Sequence, residues 1–439
     1  MAAKKKSVQA IVIILLFVVY FLIAARPVPK ELVLAPVWIS SLEAETPIII
    51  DANANAVDNA TPATNMLLPF TLGGRFGYID SSGQFAVNRL QTSEIYLSCN
   101  MWTEYPAEPS NIEIFDITGE TIRNIENPRG YPVLLDNRIF ILGSEQNMLS
   151  EIDADGEILW TYEFGAPLIC IDAAAGLVLT GSLDGVIEIL DSNGQRLFYF
   201  EPGGSRYEII LGCALSRNGS RLGIISGIDR QRFLLFERFG NTGGEYKVVY
   251  HEYLETSFRR SVRISFIDED RRLVFERAGG IGGYNIRSRR GFFIPLDGEI
   301  MAIDSSGEQG FLFLITSHLM SLPRLEPSLT ESALTESALT ESTLTELPLR
   351  ELIGIKLPHD RRFSLPGSSG VQNAIFMKAS FNSDDVFLGR TRLSTGYQTS
   401  YPTQYTTSSV THNETGSGTH SMLIAGGGSA LISFHLEEK

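Results

Sequence analysis

This chain of 439 residues is poor in the residue types that carry most enzyme chemistry. It has three cysteines, Cys99, Cys170 and Cys213, and no C-x-x-C, which leaves redox chemistry and a structural zinc site without support. Cys170 and Cys213 stand in strand-like runs, where a thiol serves as a small hydrophobe, so packing rather than cross-linking should hold the fold. The six histidines, 251, 318, 359, 412, 420 and 435, form no H-E-x-x-H or other ligand spacing. No G-x-S-x-G nucleophile elbow is present. The glycines of Ala278–Asn285 (AGGIGGYN) precede no helical pattern and so mark a turn, not a phosphate cradle. Basic residues are outnumbered, 36 to 51, and the net charge of −15 argues against nucleic-acid binding by the surface as a whole. Long amphipathic helices are also missing beyond the N-terminus.

An apolar fraction of 44% and a mean hydropathy of +0.05 are enough for a real core. The N-terminus is the plainest signal. Lys4, Lys5 and Lys6 precede an uncharged run from Ala10 to Ala25, closed by Arg26 and Pro27. As a helix such a run spans roughly 24 Å, a little short of a hydrocarbon core. Residues 1–26 therefore read as a basic tip with a transmembrane anchor or a signal. Either places the bulk of the chain outside the cytoplasmic (inner) membrane, in the periplasm or extracytoplasmic space.

The body of the chain repeats one local device. In SLDGVIEILDSNGQRLFYF (Ser182–Phe200) an alternating apolar run breaks at Asp191–Gly194 and resumes at once, the pattern of a β-hairpin. The Asp carboxylate can bond forward to the backbone, and Gly takes the positive φ. The same Asp-x-x-Gly recurs at Asp80–Gly83, Asp116–Gly119 and Asp153–Gly156, spaced 36, 37 and 38 residues apart up to Asp191, and again at Asp304–Gly307. Weaker versions stand at Asn218–Gly219 and Asp268–Asp270. A steady period of all-strand units predicts sheets that stack on their neighbours, hence an all-β fold: a β-propeller of about seven four-stranded blades, with six or eight open, behind one N-terminal helix. A terminal strand, from the final hairpin at Met422–Leu436, should complete the first blade.

Phe140–Phe200 resembles repeats of the quinoprotein-like (PQQ-type, WD40-like) β-propellers. Trp160, four residues after Gly156, stands where that family often places a docking tryptophan; Phe198 is its counterpart after Gly194, and Arg123 departs from the pattern. Phe76–Val87 (FGYIDSSGQFAV) separately looks like a single WG-type repeat. The resemblance implies either a cofactor-dependent dehydrogenase or a cofactor-free envelope scaffold. The dehydrogenase branch needs a buried calcium, a catalytic Asp and flat groups around the quinone, and neither these nor the adjacent-cysteine pair of many such enzymes can be picked out. The scaffold branch is expected: no catalytic, metal or cofactor residues, no nucleic acid, and envelope proteins as partners. A quinoprotein-like oxidoreductase and a sensor of a small ligand in the channel are the alternatives.

Residues 27–65 read as a linker: Asp51, Asn53 and Asn55 open like a calcium loop, but Ala56 replaces its required Gly. The propeller should occupy 66–439, interrupted by low-complexity insertions at 324–349, around a period-five LTESA array, and at 394–421. Five residues advance a helix by about 500°, so the array makes no apolar face. One charge cluster stands out against the acidic background. Arg259, Arg260, Arg263, Arg271, Arg272, Arg277, Arg287, Arg289 and Arg290 could face an anion or an acidic partner, or could be neutralised by Glu255, Asp268, Glu269, Asp270 and Glu276. Tyr284 is expected as an exposed aromatic contact beside them.

Overall fold

The hairpin at Asp191 forms as its sequence requires. The carboxylate of Asp191 accepts hydrogen bonds from the backbone N–H of Asn193 (2.8 Å) and Gln195 (2.9 Å), and Gly194 has φ 73°. Asp80, Asp116 and Asp153 make the same pair of bonds to the residues two and four positions on, with Gly83, Gly119 and Gly156 at φ 86°, 88° and 91°. One carboxylate thus satisfies two amides that the turn would leave open.

The computed structural model describes Leu15, Tyr20 and residues 32–43, 48–49, 67–240, 244–255, 258–304, 311–320, 347–356, 375–381, 386–392, 421–427 and 430–438. Among these residues the strands form eight antiparallel sheets. Residues 68–90 make a three-stranded first sheet; 94–126, 130–163, 168–200, 210–253, 264–295 and 299–381 make the second to seventh, each of four strands in sequence order. The eighth combines both ends of the chain. Val386–Arg392, Ser421–Gly427 and Ala430–Glu438 are followed across the sheet by Leu32–Ser41 and then Ile48–Ile49.

Ala35–His435 group as one unit, and residues 1–34 with 436–439 as another. Within Ala35–His435 the first strand of a sheet lies against that of the next: second on third, third on fourth, fourth on fifth, fifth on sixth, seventh on eighth, and eighth on first. The first and second sheets join where the Tyr78 hydroxyl donates to Ser98 O (2.8 Å), and the sixth and seventh where Arg263 donates to Ile300 O (2.7 Å). The succession returns to its start, as a propeller requires.

Each buried apolar cluster of the described residues straddles two neighbouring sheets. Leu179, Ile189, Cys213, Ile224 and Phe236 join the fourth and fifth; Phe140, Trp160, Leu168, Val178 and Leu190 join the third and fourth. At roughly 1.5–3 kcal/mol per buried large side chain, a sheet alone would forfeit most of its apolar stabilisation, so the sheets must stack. Trp102 of the second sheet packs on Phe76 of the first (5.1 Å between ring centroids), and the other two tryptophans seal their junctions against a turn glycine. An ideal Cβ on Gly194 of the fourth sheet would lie 2.6 Å from Cδ2 of Trp160 in the third, and one on Gly83 would lie 2.8 Å from Cδ2 of Trp38 in the eighth. Phe198 meets Phe236 and Tyr246 of the fifth sheet at 5.9 and 5.2 Å between ring centroids. Where Arg123 breaks the pattern, Gly156 instead approaches the backbone O of Asn124, 2.7 Å from an ideal Cβ.

Several expectations change. Among the described residues the sheets number eight, at the upper edge of the expected six to eight; the first has three described strands, and the last is assembled from both ends of the chain. The final hairpin forms, Ser421–Gly427 with Ala430–Glu438, but the closing strand comes from the N-terminal side and completes the last sheet rather than the first. The Asn218 and Asp268 turns link the first and second strands of their sheets, whereas Asp116, Asp153 and Asp191 link the third and fourth. An Asp or Asn turn suits any tight hairpin, so the motif does not mark position within the repeat. No helix among the described residues is long and apolar enough to cross a membrane. The expected N-terminal anchor lies outside the described residues, apart from Leu15 and Tyr20, which are helical. The low-complexity cores at 324–346 and 394–420 and most of the linker 27–65 also lie outside them; strand Leu347–Lys356 begins inside the insertion boundary and pairs with Phe311–Met320.

Candidate partner-binding surface

Successive turns of an antiparallel sheet alternate between its two ends, and this divides the arginine-rich segment. The sixth sheet runs through Ile264–Ile267, Arg272–Arg277, Gly280–Asn285 and Arg290–Pro295. Arg271, Arg272, Arg287, Arg289 and Arg290 therefore stand at one end of it, and Arg259, Arg260, Arg263 and Arg277 at the other. They make no single basic face.

Many are also neutralised. Arg260 pairs with Glu276 (2.5 Å) and Glu299 (2.8 Å), Arg277 with Glu252 (3.1 Å), Arg271 with Glu269 and Arg272 with Asp268. Arg263 is 3.9 Å from Glu276. Arg259, Arg287, Arg289 and Arg290 are exposed. Tyr284 is buried, against the expectation of an exposed contact: its ring lies 4.3 Å from that of Tyr250, at the junction of the fifth and sixth sheets. Burial pushes the Tyr284 hydroxyl above its ordinary pKa, with Arg289 opposing, and pushes Tyr250 up to about 12, helped by Glu252.

The end that carries Arg259 brings together three loops that hydrogen bonds tie to one another. The first, after the fourth sheet, holds Ser205, Arg206 and Tyr207. Its Ser205 hydroxyl donates to the carboxylate of Asp229, and the Arg206 N–H donates to the same group (3.1 Å). The second loop, Gly227–Gln231 of the fifth sheet, is tied to the third, which leads into the sixth sheet. Gln231 Nε2 donates to Phe258 O (2.5 Å) and Leu254 N–H to Gln231 O (2.7 Å). The Ser205 hydroxyl and then the Arg206 amide hold the Asp229 carboxyl below its usual range, so it stays ionised and the loops stay tied at neutral pH. Three cations reach solvent here, Arg206, Arg230 and Arg259, with two supported aromatics. Tyr207 is 55% exposed under the Arg206 guanidinium (5.5 Å), and Phe258 lies under Arg260 (4.9 Å). Arginine and tyrosine on a rigid frame present large contact area at small ordering cost. Sequence reading picked out Arg259 and Arg260 but missed Arg206 and Tyr207, whose only signal is a Gly-Gly-Ser-Arg-Tyr loop between strands, and Arg230, whose only signal is a Gly-Ile-Asp-Arg turn.

Among the described residues no group of three or more His, Cys, Asp or Glu is placed to hold a metal ion. A family model described as "beta-propeller protein" matches residues 1–325. An uncharacterized protein of Treponema pallidum (strain Nichols) is 30% identical over 245 residues, 56% of this chain. The matched stretch spans 63% of that relative's length. Among solved structures, BamB from Moraxella catarrhalis aligns with a TM-score of 0.50 at 11% identity, over 92% of this chain and 100% of that one. The computationally designed Ika8 protein aligns at 0.49 and 10%, over 85% and 94%. At 11% identity the likeness to BamB is one of fold alone.

Proposed function

The chain belongs to the β-propeller protein family that its residues 1–325 match, and from that premise we propose that it is a membrane-anchored, extracytoplasmic scaffold that binds proteins of the cell envelope without chemistry of its own. The observation that carries this reading is the three-loop surface of Arg206, Tyr207, Arg230 and Arg259. It mixes exposed guanidinium groups with a supported aromatic on a frame held by inter-sheet packing. Loops on such a frame lose little entropy when a partner docks. The basic tip and apolar run at the N-terminus support the topology: basic tip inside, propeller out.

The test is site-specific photo-crosslinking in intact cells from position 207, with position 287 at the opposite end of the sheets as the comparison. A discrete envelope protein captured from 207 and not from 287, and lost when Arg206 and Arg230 are changed to Glu, supports the reading. A clean monomer at both positions, or equal capture from both, removes it. The absence of enzymatic chemistry is checked separately: the visible spectrum of the purified chain should stay featureless after addition of a quinone cofactor with calcium.

A further inference from the structure

The first strand of the fourth sheet (Leu168–Ala174) and that of the fifth (Ile210–Leu215) run side by side, and one hydrogen bond fixes their offset. The carboxylate of Asp172 accepts the N–H of Leu215 at 2.7 Å. Side chains two positions apart on a strand share a face. Stepping back two residues from Asp172 reaches Cys170, and two from Leu215 reaches Cys213. Both pack in the same apolar cluster, and an ideal Cβ on Gly181 would lie 2.7 Å from the Cys170 sulfur and 2.4 Å from Ile210 of the fifth sheet. The Cys170 sulfur therefore sits on the side of its strand that faces the fifth sheet. We propose that Cys170 and Cys213 are a cross-linking site, which a disulfide-bearing oxidant converts to a covalent staple between the two sheets.

The pair is asymmetric in a way that suits the chemistry. Cys170 is half-buried and is the more open of the two; Cys213 is 4% exposed. Burial pushes the Cys213 thiol well above its ordinary pKa, and the neighbouring Cys170 adds to the rise, so Cys213 waits as a thiol until its neighbour is oxidised. In the first step the Cys170 thiolate attacks one sulfur of the oxidant R–S–S–R. A Cys170–S–S–R bond forms and RS⁻ departs. In the second, Cys213 gives its proton to the departing thiolate and attacks the Cys170 sulfur, expelling the other R–S group. Two thiols and one disulfide become one protein disulfide and two RSH, with two electrons passed to the oxidant. Cys99, buried in the second sheet, stands outside this pair.

The experiment treats the purified, reduced full chain with oxidised glutathione under native conditions, then denatures it and counts thiols by alkylation and mass spectrometry. The expected result is a fall from three free thiols to one, with the peptides of Cys170 and Cys213 joined and the chain about 2 Da lighter. The oxidised form should unfold at a higher denaturant concentration, reversed by dithiothreitol. With Cys213→Ser, Cys170 should instead keep a stable glutathione adduct; with Cys170→Ser, Cys213 should remain a free thiol. Three thiols surviving in the native chain, a persistent glutathione adduct on wild-type Cys170, or a link through Cys99 would each overturn the proposal.

Discussion

Replacing Gly194 by Ala tests whether the tryptophan seal between sheets carries the stability assigned to it, and Gly176 supplies a matched control. Both glycines have left-handed backbone, φ 73° and 76°, so both substitutions pay the same Cβ penalty, about 1–2 kcal/mol, less about 0.4–1 kcal/mol returned by the stiffer unfolded chain. They differ in what the methyl meets. At Gly176 nothing lies within 4 Å, whereas at Gly194 it would lie 2.6–2.8 Å from three atoms of the buried Trp160 indole. Displacing a well-packed side chain adds about 1–3 kcal/mol. Gly194→Ala should therefore cost about 2–4 kcal/mol and Gly176→Ala about 1 kcal/mol, read from urea unfolding followed by circular dichroism. In a Trp160→Ala background, itself costing about 3–5 kcal/mol, the excess at Gly194 should vanish. Equal costs at the two glycines, or an excess that survives removal of the indole, would refute the docking.

Three further outcomes follow from named contacts. Glu151 receives Arg138 through Nε (2.7 Å) and Nη2 (2.5 Å) and the Trp160 indole N–H (2.7 Å), nearly out of water; Glu151→Gln should cost about 3 kcal/mol in the same assay, because Arg138 is left charged without its counterion. Burial pushes the Asp270 carboxyl above the ordinary carboxylate range even though the Arg217 side chain and amide oppose it. A raised folded-state pKa means that stability from this group is greatest at low pH and falls as pH rises through that pKa. The difference between wild type and Asp270→Asn should accordingly shift in favour of the variant between pH 3 and pH 7, and a difference flat in pH would contradict this. Gly83→Ala, whose Cβ would meet Trp38 at 2.8 Å, should loosen the junction of the eighth and first sheets, seen as faster hydrogen exchange in residues 68–79 than in residues 177–190.

What was legible in the sequence was local. The Asp-x-x-Gly turns are decided within five residues, and Trp160 could be placed from Gly156 because both lie in one hairpin. The closing strand could not, since Leu32–Ser41 pairs with the last strand of the chain. The arginine segment misled because closeness in sequence was read as closeness in space, while alternating turns send Arg259 and Arg287 to opposite ends of one sheet. Tyr284 misled for a related reason: its strand is a central one of the sixth sheet, so its ring is enclosed by the fifth. The Arg206, Tyr207, Arg230 and Arg259 surface stayed invisible because its parts meet only through hydrogen bonds that link loops of different sheets. Cys170 and Cys213 likewise become neighbours only when two sheets stack.

Hydrogen exchange of the strand that closes the eighth sheet tests the closed ring most directly. In the native full chain, the amides of Val37–Ser40 should exchange only through the opening that also releases Ile424–Ser433, because the two segments belong to one sheet. Exchange of Val37–Ser40 within seconds, while Leu177–Ser182 in the fourth sheet stays protected, would mean that the strand is a loose terminus and does not close the eighth sheet.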